Sequence, residues 1–337
     1  MNKPIDIVIL WVDGNDPKWI MEKQKYEDKP MSRDVNSNIR FESWDNMHLW
    51  FRAVETCMPW VNKIFFVTWG HVPEFLDINH PKLKIVKHED YIPSEYRPTY
   101  NSNTIEMNLF RIEELSENFI LFNDDMIPIS LQDEFYYFKD DIVCDEAVEN
   151  IITTASFGPV SNLARYNQVN NMFIINKYFK KQEVQKKNWD KWYCEDYEER
   201  LERTKSLQFW RDFPGFYDPH VPSAMKKSVL RRLWELEPKV LDTASRNRFR
   251  NYSDVTQYLV RYWQICSGDF YPRKTRGKVY FADVQNYQDI AKEIREKKYP
   301  MICINENCSG EEFVLIKKEI NDALEWLFPE KSSYERT

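Results

Sequence analysis

Apolar residues run from Ile5 to Val12, interrupted only by Asp6, and stop at the turn-forming cluster Asp13-Gly14-Asn15-Asp16-Pro17. That pattern predicts a buried strand opening into a loop. Met47, Trp50, Phe51, Val54 and Met58 then recur at helical spacing and end at Pro59, and Lys63–Thr68 and Leu83–Val86 read as two further strands. Ile105, Leu109 and Ile112 predict a helix starting at Asn103, with Glu106 three residues on as in a capping box. Asn118–Phe122 reads as a strand that ends on Asn123-Asp124-Asp125.

Strands alternating with helices over the first ~130 residues predict an α/β fold with a largely parallel sheet flanked by helices. In such sheets ligands collect beyond the carboxyl ends of strands. Both acidic turns are predicted at such ends, so Asp13 and Asp16 are expected to face the same pocket as Asp124 and Asp125. Residues 1–180 are read as this core. Residues 181–270, with short apolar stripes such as Val229, Leu233 and Leu236, are read as a helical, basic insertion or lid. Residues 271–337 form a tail whose Phe313, Ile316, Ile320, Leu324 and Leu327 stripe a packing helix, capped by Ser309 and Glu312 and closed by Pro329. The whole, 1–337, is expected to be one catalytic domain.

Composition narrows the classes. No run reaches the ~18 apolar residues of a membrane span, and the start lacks the layout of a secretory signal, so a cytoplasmic location is expected. A net charge of −7 argues against a nucleic-acid partner. One basic stretch stands out. From Met225 to Arg250 there are eight Lys and Arg against three acids, a pattern that suits either phosphate binding or a solvated helix face. The six cysteines have neither CxxC spacing nor matching histidines, and are read as reduced thiols.

The seven glycines are never closer than nine residues, which excludes GxGxxG and P-loop cradles. Phosphate would have to be held by side chains, a metal or a helix end. Asn123-Asp124-Asp125 offers the hard oxygen ligands that Mg²⁺ or Mn²⁺ takes when it also bridges a diphosphate, although Asx residues also serve simply to end strands. His220 lies between Pro219 and Pro222 just before the basic stretch. It suits proton transfer beside Arg248 and Arg250, or plain packing.

Four ordered blocks carry a resemblance. They are Ile5 through Asp16; Arg40-Phe41 through Pro59-Trp60-Val61, Asn101-Ser102-Asn103, Glu106 and Asn123-Asp124-Asp125; His220-Val221-Pro222 through Arg248-Phe249-Arg250 and Asp254; and Ile302-Cys303-Ile304-Asn305 with the tail helix. In this order the chain resembles the Stealth proteins, bacterial capsule and exopolysaccharide phosphotransferases related to the lysosomal-enzyme GlcNAc-1-phosphotransferase. The resemblance implies a GT-A-like α/β core. It also implies a UDP-N-acetylhexosamine or UDP-hexose donor, a glycan or lipid-linked saccharide acceptor, a phosphodiester product and released UMP.

Carried onto matching positions, Asp124 and Asp125 would bind Mg²⁺ or Mn²⁺, with Asp125 also organising the reacting phosphate. His220 would be the general base, and Arg250 would stabilise phosphoryl charge. Asp13, Gly14, Asp16, Arg40, Asn101, Ser102, Glu106 and Arg248 would shape the substrate pocket. Ser43, Phe110 and Asn247 stand where the family often has Asp, His and His, which bears on substrate contacts more than on phosphoryl chemistry. Two rival readings are a glycosyltransferase that releases UDP and a non-catalytic carbohydrate-binding protein. Peripheral contact with the inner membrane face is expected through Lys226-Lys227 to Arg232.

Overall fold

The computed structural model describes residues 3–27, 44–154, 159–308 and 310–336. Arg40 and Ser43 lie outside them. The described strands are β1 (Ile5–Trp11), β2 (Ile64–Thr68), β3 (Leu83–Lys87), β4 (Asn118–Asn123), β5 (Met126–Pro128) and β6 (Phe138–Lys139). They continue with β7 (Ile142–Asp145), β8 (Ser223–Lys226), β9 (Phe270–Pro272), β10 (Lys278–Ala282) and β11 (Met301–Glu306).

The main sheet has the order β3-β2-β1-β4-β8, parallel except for β8. It is a mixed α/β fold with a largely parallel sheet flanked by helices. Its inner strands are buried along nearly their whole length, which is why they read as continuous apolar runs rather than as alternating ones. Each large side chain taken from water there contributes about 1.5–3 kcal/mol. The helix Met47–Cys57 is held to this core by Trp50, whose indole N–H donates to the Met126 carbonyl at 3.0 Å.

A second sheet has the order β10-β11-β5 and a third the order β6-β7-β9, and the tail helix Glu311–Leu327 packs against the helix Tyr287–Arg295. Helical chain fills much of 159–267, including Pro159–Tyr178, Lys181–Lys187, Lys227–Leu236 and Tyr258–Ser267. The first of these begins some twenty residues before the expected start of the helical insertion. No helix among the described residues is long and apolar enough to cross a membrane.

Local signals misled at three points. The helix expected from Asn103 begins at Ser102 and ends at Met107, with Leu109 in a separate 3₁₀ turn. Its cap is Asn101, whose side chain accepts from the Asn103 N–H at 3.1 Å, so Glu106 plays no capping role. The tail helix has Gly310 at its N-cap, with no side-chain bond, and Ser309 lies outside the described residues. In the run Lys226 to Arg232 one of the four basic side chains is withdrawn from the surface. Lys227 is buried, and its Nζ donates to the carbonyls of Ile112, Glu113 and Leu115 at 2.7, 3.0 and 3.1 Å, while Arg232 pairs with Glu235. Those three carbonyls lie in a loop with no ladder to satisfy them. Lys227→Met should therefore lower stability by about 1–3 kcal/mol in urea unfolding.

Candidate active site

The sheet register assembles the site. β1 and β4 are adjacent and parallel, with Leu10 level with Asn123, so the Asp13 and Asp124 turns leave the same edge. β8 runs antiparallel to β4 with Ser223 opposite Leu121, so the segment that leads into β8 brings His220 to the end of β4, where it meets Asp125. β11 adds the last wall: its Ile304 N–H donates to the Asp125 carbonyl at 3.0 Å.

Asp125 is the hub. Its Oδ2 lies 3.4 Å from His220 Nε2 and accepts from the Cys303 thiol at 3.2 Å, and the ligand atoms of the three residues all lie within 4.8 Å of one another. Its Oδ1 is buried without a hydrogen-bond partner. Asp124 is exposed to solvent. Desolvation by the protein around it, with the charges of Asp125 and Glu306, pushes its carboxyl up to about 7. Crowded carboxylates and an orphaned carboxylate oxygen fit a hard divalent cation.

His220 also approaches the Tyr258 hydroxyl through Nδ1, at 3.5 Å. Burial alone would lower its pKa. The hydrogen bond to Asp125 and the charges of Asp125 and Glu106 outweigh that, and the net shift is upward. Glu106 is buried and accepts from the Gln257 N–H. Desolvation pushes it up to about 7 although Arg250 and His220 pull the other way. Arg250 is exposed and donates through Nη2 to Ser102 Oγ at 2.9 Å. Asp125, His220, Glu106, Arg250 and Ser102 are thus brought together.

Other expected pocket residues have different places. Asn101 is fully buried, and its amide donates to the carbonyls of Asn247 and Phe249 and to Asp254 Oδ2. It is therefore closed to a ligand and instead ties down the loop that carries Arg248 and Arg250. Asp254, within that loop, accepts from Asn101, Asn103 and Asn247 and from the Asn251 N–H. Arg248 is exposed and lies over the Tyr26 ring, 4.6 Å from its centroid.

Asp16 caps the helix Pro17–Gln24 by accepting from the N–H groups of Lys18 and Trp19, and its other oxygen faces His71 Nδ1 at 3.0 Å. The Asp13 N–H donates to His71 Nε2 at 2.8 Å, and Asp13 Oδ1 accepts from Asn15. His71 thereby fastens the Asp13-Gly14-Asn15-Asp16 turn to the end of β2.

Two groups were given no role in the sequence reading. Cys303 lies in an ordinary apolar strand. Arg261, on a helix, grips Asp145 through Nε and Nη2 at 2.9 Å and reaches Asp218 Oδ1 at 3.3 Å. Asp218 also accepts from Tyr262 and Gln168, and burial pushes its carboxyl up to about 6 against these partners. Only Pro219 separates it from His220, so this buried network holds the histidine's loop. All six cysteines are free.

Comparison with known proteins completes the picture. Residues 3–30 match Stealth protein CR1, conserved region 1, and residues 40–141 match Stealth protein CR2, conserved region 2. The chain is 40% identical over 333 residues to a capsular polysaccharide phosphotransferase WcwK of Streptococcus pneumoniae, covering 98% of each chain. It is 34% identical to the exopolysaccharide phosphotransferase cps2G of Lactiplantibacillus plantarum, covering 98% of this chain and 96% of that one. It is 33% identical to the receptor polysaccharide phosphotransferase WefC of Streptococcus gordonii, covering 99% and 100%. The apo glycosyltransferase GlyE of Streptococcus pneumoniae superposes with a TM-score of only 0.23 at 9% identity, over 95% of this chain and 83% of that one. With both conserved regions in order and full-length relatives at this identity, the chain belongs to the Stealth family and is a transferase enzyme.

Proposed function

We propose that the enzyme moves a sugar-1-phosphate from a UDP-sugar to a saccharide hydroxyl in capsule or exopolysaccharide synthesis, in the cytoplasm. The acceptor oxygen bonds to the β-phosphorus, the bridging Pβ–O bond breaks, and UMP departs. The proton of the attacking hydroxyl passes to the imidazole of His220, and the Asp125 carboxylate stabilises the imidazolium so formed. Arg250, steadied by Ser102, stabilises charge on the transferring phosphoryl oxygens.

Asp124 and Asp125 would hold Mg²⁺ or Mn²⁺, which when bound neutralises diphosphate charge. Asp13 and Gly14 border the donor side, where the turn is made rigid by Asp16 and His71. The observation that carries this reading is the 3.4 Å approach of His220 to Asp125 at the carboxyl edge of the sheet. The test is to incubate the protein with a panel of UDP-sugars, Mg²⁺ and a saccharide acceptor, and to identify the nucleotide released. UMP is expected. UDP would mean attack at the anomeric carbon, and no turnover with any pair would favour a binding protein.

A further inference from the structure

One side of the helix Pro159–Tyr178 is unusually apolar where it meets solvent. Tyr166, Val169 and Phe173 fall on a single stripe at helical spacing, and all three are exposed, Phe173 by 72%. The stripe starts at the active-site loop, since the Tyr166 and Tyr252 rings meet edge-to-face 4.9 Å apart and Asn170 Nδ2 donates to the Tyr252 carbonyl. At its far end, Asn176 exchanges hydrogen bonds with the backbone of Phe213. The residues just before Phe213 form a tip on which Phe209 is 87% exposed and Trp210 48%. Ten residues of helix cover about 15 Å, so the exposed stripe runs from Arg250's loop toward the end of the helix that is tied to the aromatic tip.

Positive charge borders that tip. Gln182 Nε2 donates to the carbonyls of Gln208 and Trp210, and one turn along the same helix stand Lys186 and Lys187. Both are exposed, with no carboxylate in ion-pair range among the described residues. Arg211 is also exposed, 4.0 Å from the carboxylate of the neighbouring Asp212. Val169, Phe173 and Phe209 offer no hydrogen bonds to a sugar, whereas Phe and Trp beside Lys and Arg match the interface of an anionic bilayer. Exposed apolar residues gathered on one face are what a contact site presents.

We propose that this face rests on an anionic membrane surface, with Phe209 and Trp210 inserted at headgroup depth and the stripe leading back toward the reaction centre. It rests on the reading above in one respect, that a lipid-linked saccharide would be presented along this stripe. The position differs from the Lys226–Arg232 run, whose Lys227 is buried.

Flotation of the full chain with phosphatidylcholine vesicles, with and without phosphatidylglycerol, tests the proposal. The wild type should float with the anionic vesicles. Phe209→Ser with Trp210→Ser should reduce the bound fraction at least about tenfold, and Lys186→Glu with Lys187→Glu should do so on anionic vesicles alone. These positions are solvent-facing, so unchanged thermal melting verifies the fold. A wild type that stays with the soluble fraction, or a tip variant that floats as before, overturns the proposal. So does a tip variant that halves the mass by light scattering, which would assign the face to a second copy, or one that loses only soluble-saccharide binding. Flotation needs no donor, so a protein that floats but releases no UMP loses the reaction and keeps the membrane face.

Discussion

Asp125→Ala should reduce release of UMP by on the order of 10³-fold or more, measured as initial rates at saturating donor and Mg²⁺. Three effects coincide at this carboxylate. It removes the partner that raises the basicity of His220, it removes the oxygen left without a bond inside the protein, and it leaves the Cys303 thiol facing a void. Stability should barely change, because the side chain is partly exposed and its loss relieves repulsion on Asp124. His220→Ala should produce a comparable loss. Activity within tenfold of wild type in either folded variant would overturn the assignment of a base and its stabilising acid. Full activity in Cys303→Ala would show that the thiol merely packs.

The second large effect concerns folding. Arg261→Met should cost about 3–5 kcal/mol, because removing one partner from a buried ionic cluster strands the others. Asp145 and Asp218 are both low in exposure, and between them they take most of the guanidinium's donors, with the carbonyls of Tyr217 and Glu146 taking the rest. Arg261→Lys should recover only part of the loss, since a point charge cannot bridge two carboxylates in a fork. Urea unfolding followed by circular dichroism reads both. A midpoint for Arg261→Met equivalent to less than about 1 kcal/mol below wild type would show that the cluster relaxes without its cation.

The fold was legible where burial is continuous. β1, β2 and β4 are inner strands covered on both faces, and their unbroken apolar runs reveal them within a residue or two. The carboxyl-end rule then brought Asp13 and Asp124 to one edge, because parallel strands share their direction. Legibility failed where a contact joins distant segments. Nothing near Cys303 signals that its strand pairs with β5 and meets Asp125, and the grip of Arg261 on Asp145 spans 116 residues. It failed again where one residue type has two uses. Asn101 resembled a pocket amide and is a buried tie for the arginine loop. The Asn103-to-Glu106 spacing imitated a capping box because Asx and Glu often fall three apart, while the true cap lay two residues upstream.

The antiparallel pairing of β8 with β4 has a consequence for how this enzyme can diversify. That ladder ends at Ser223 opposite Leu121, so the chain enters β8 from His220 at the end of β4 where Asp124 and Asp125 stand. Roughly ninety residues separate β5 of the second sheet from β8 of the main one, and those outside the network of Asp145, Gln168, Asp218 and Arg261 can lengthen, shorten or be exchanged without moving the base relative to the acids. A chimera that keeps Tyr217–Lys226 but takes its helical segment from a relative should retain phosphoryl transfer while adopting that relative's choice of acceptor. The sheet acts as a fixed chuck into which different acceptor-handling tools can be fitted.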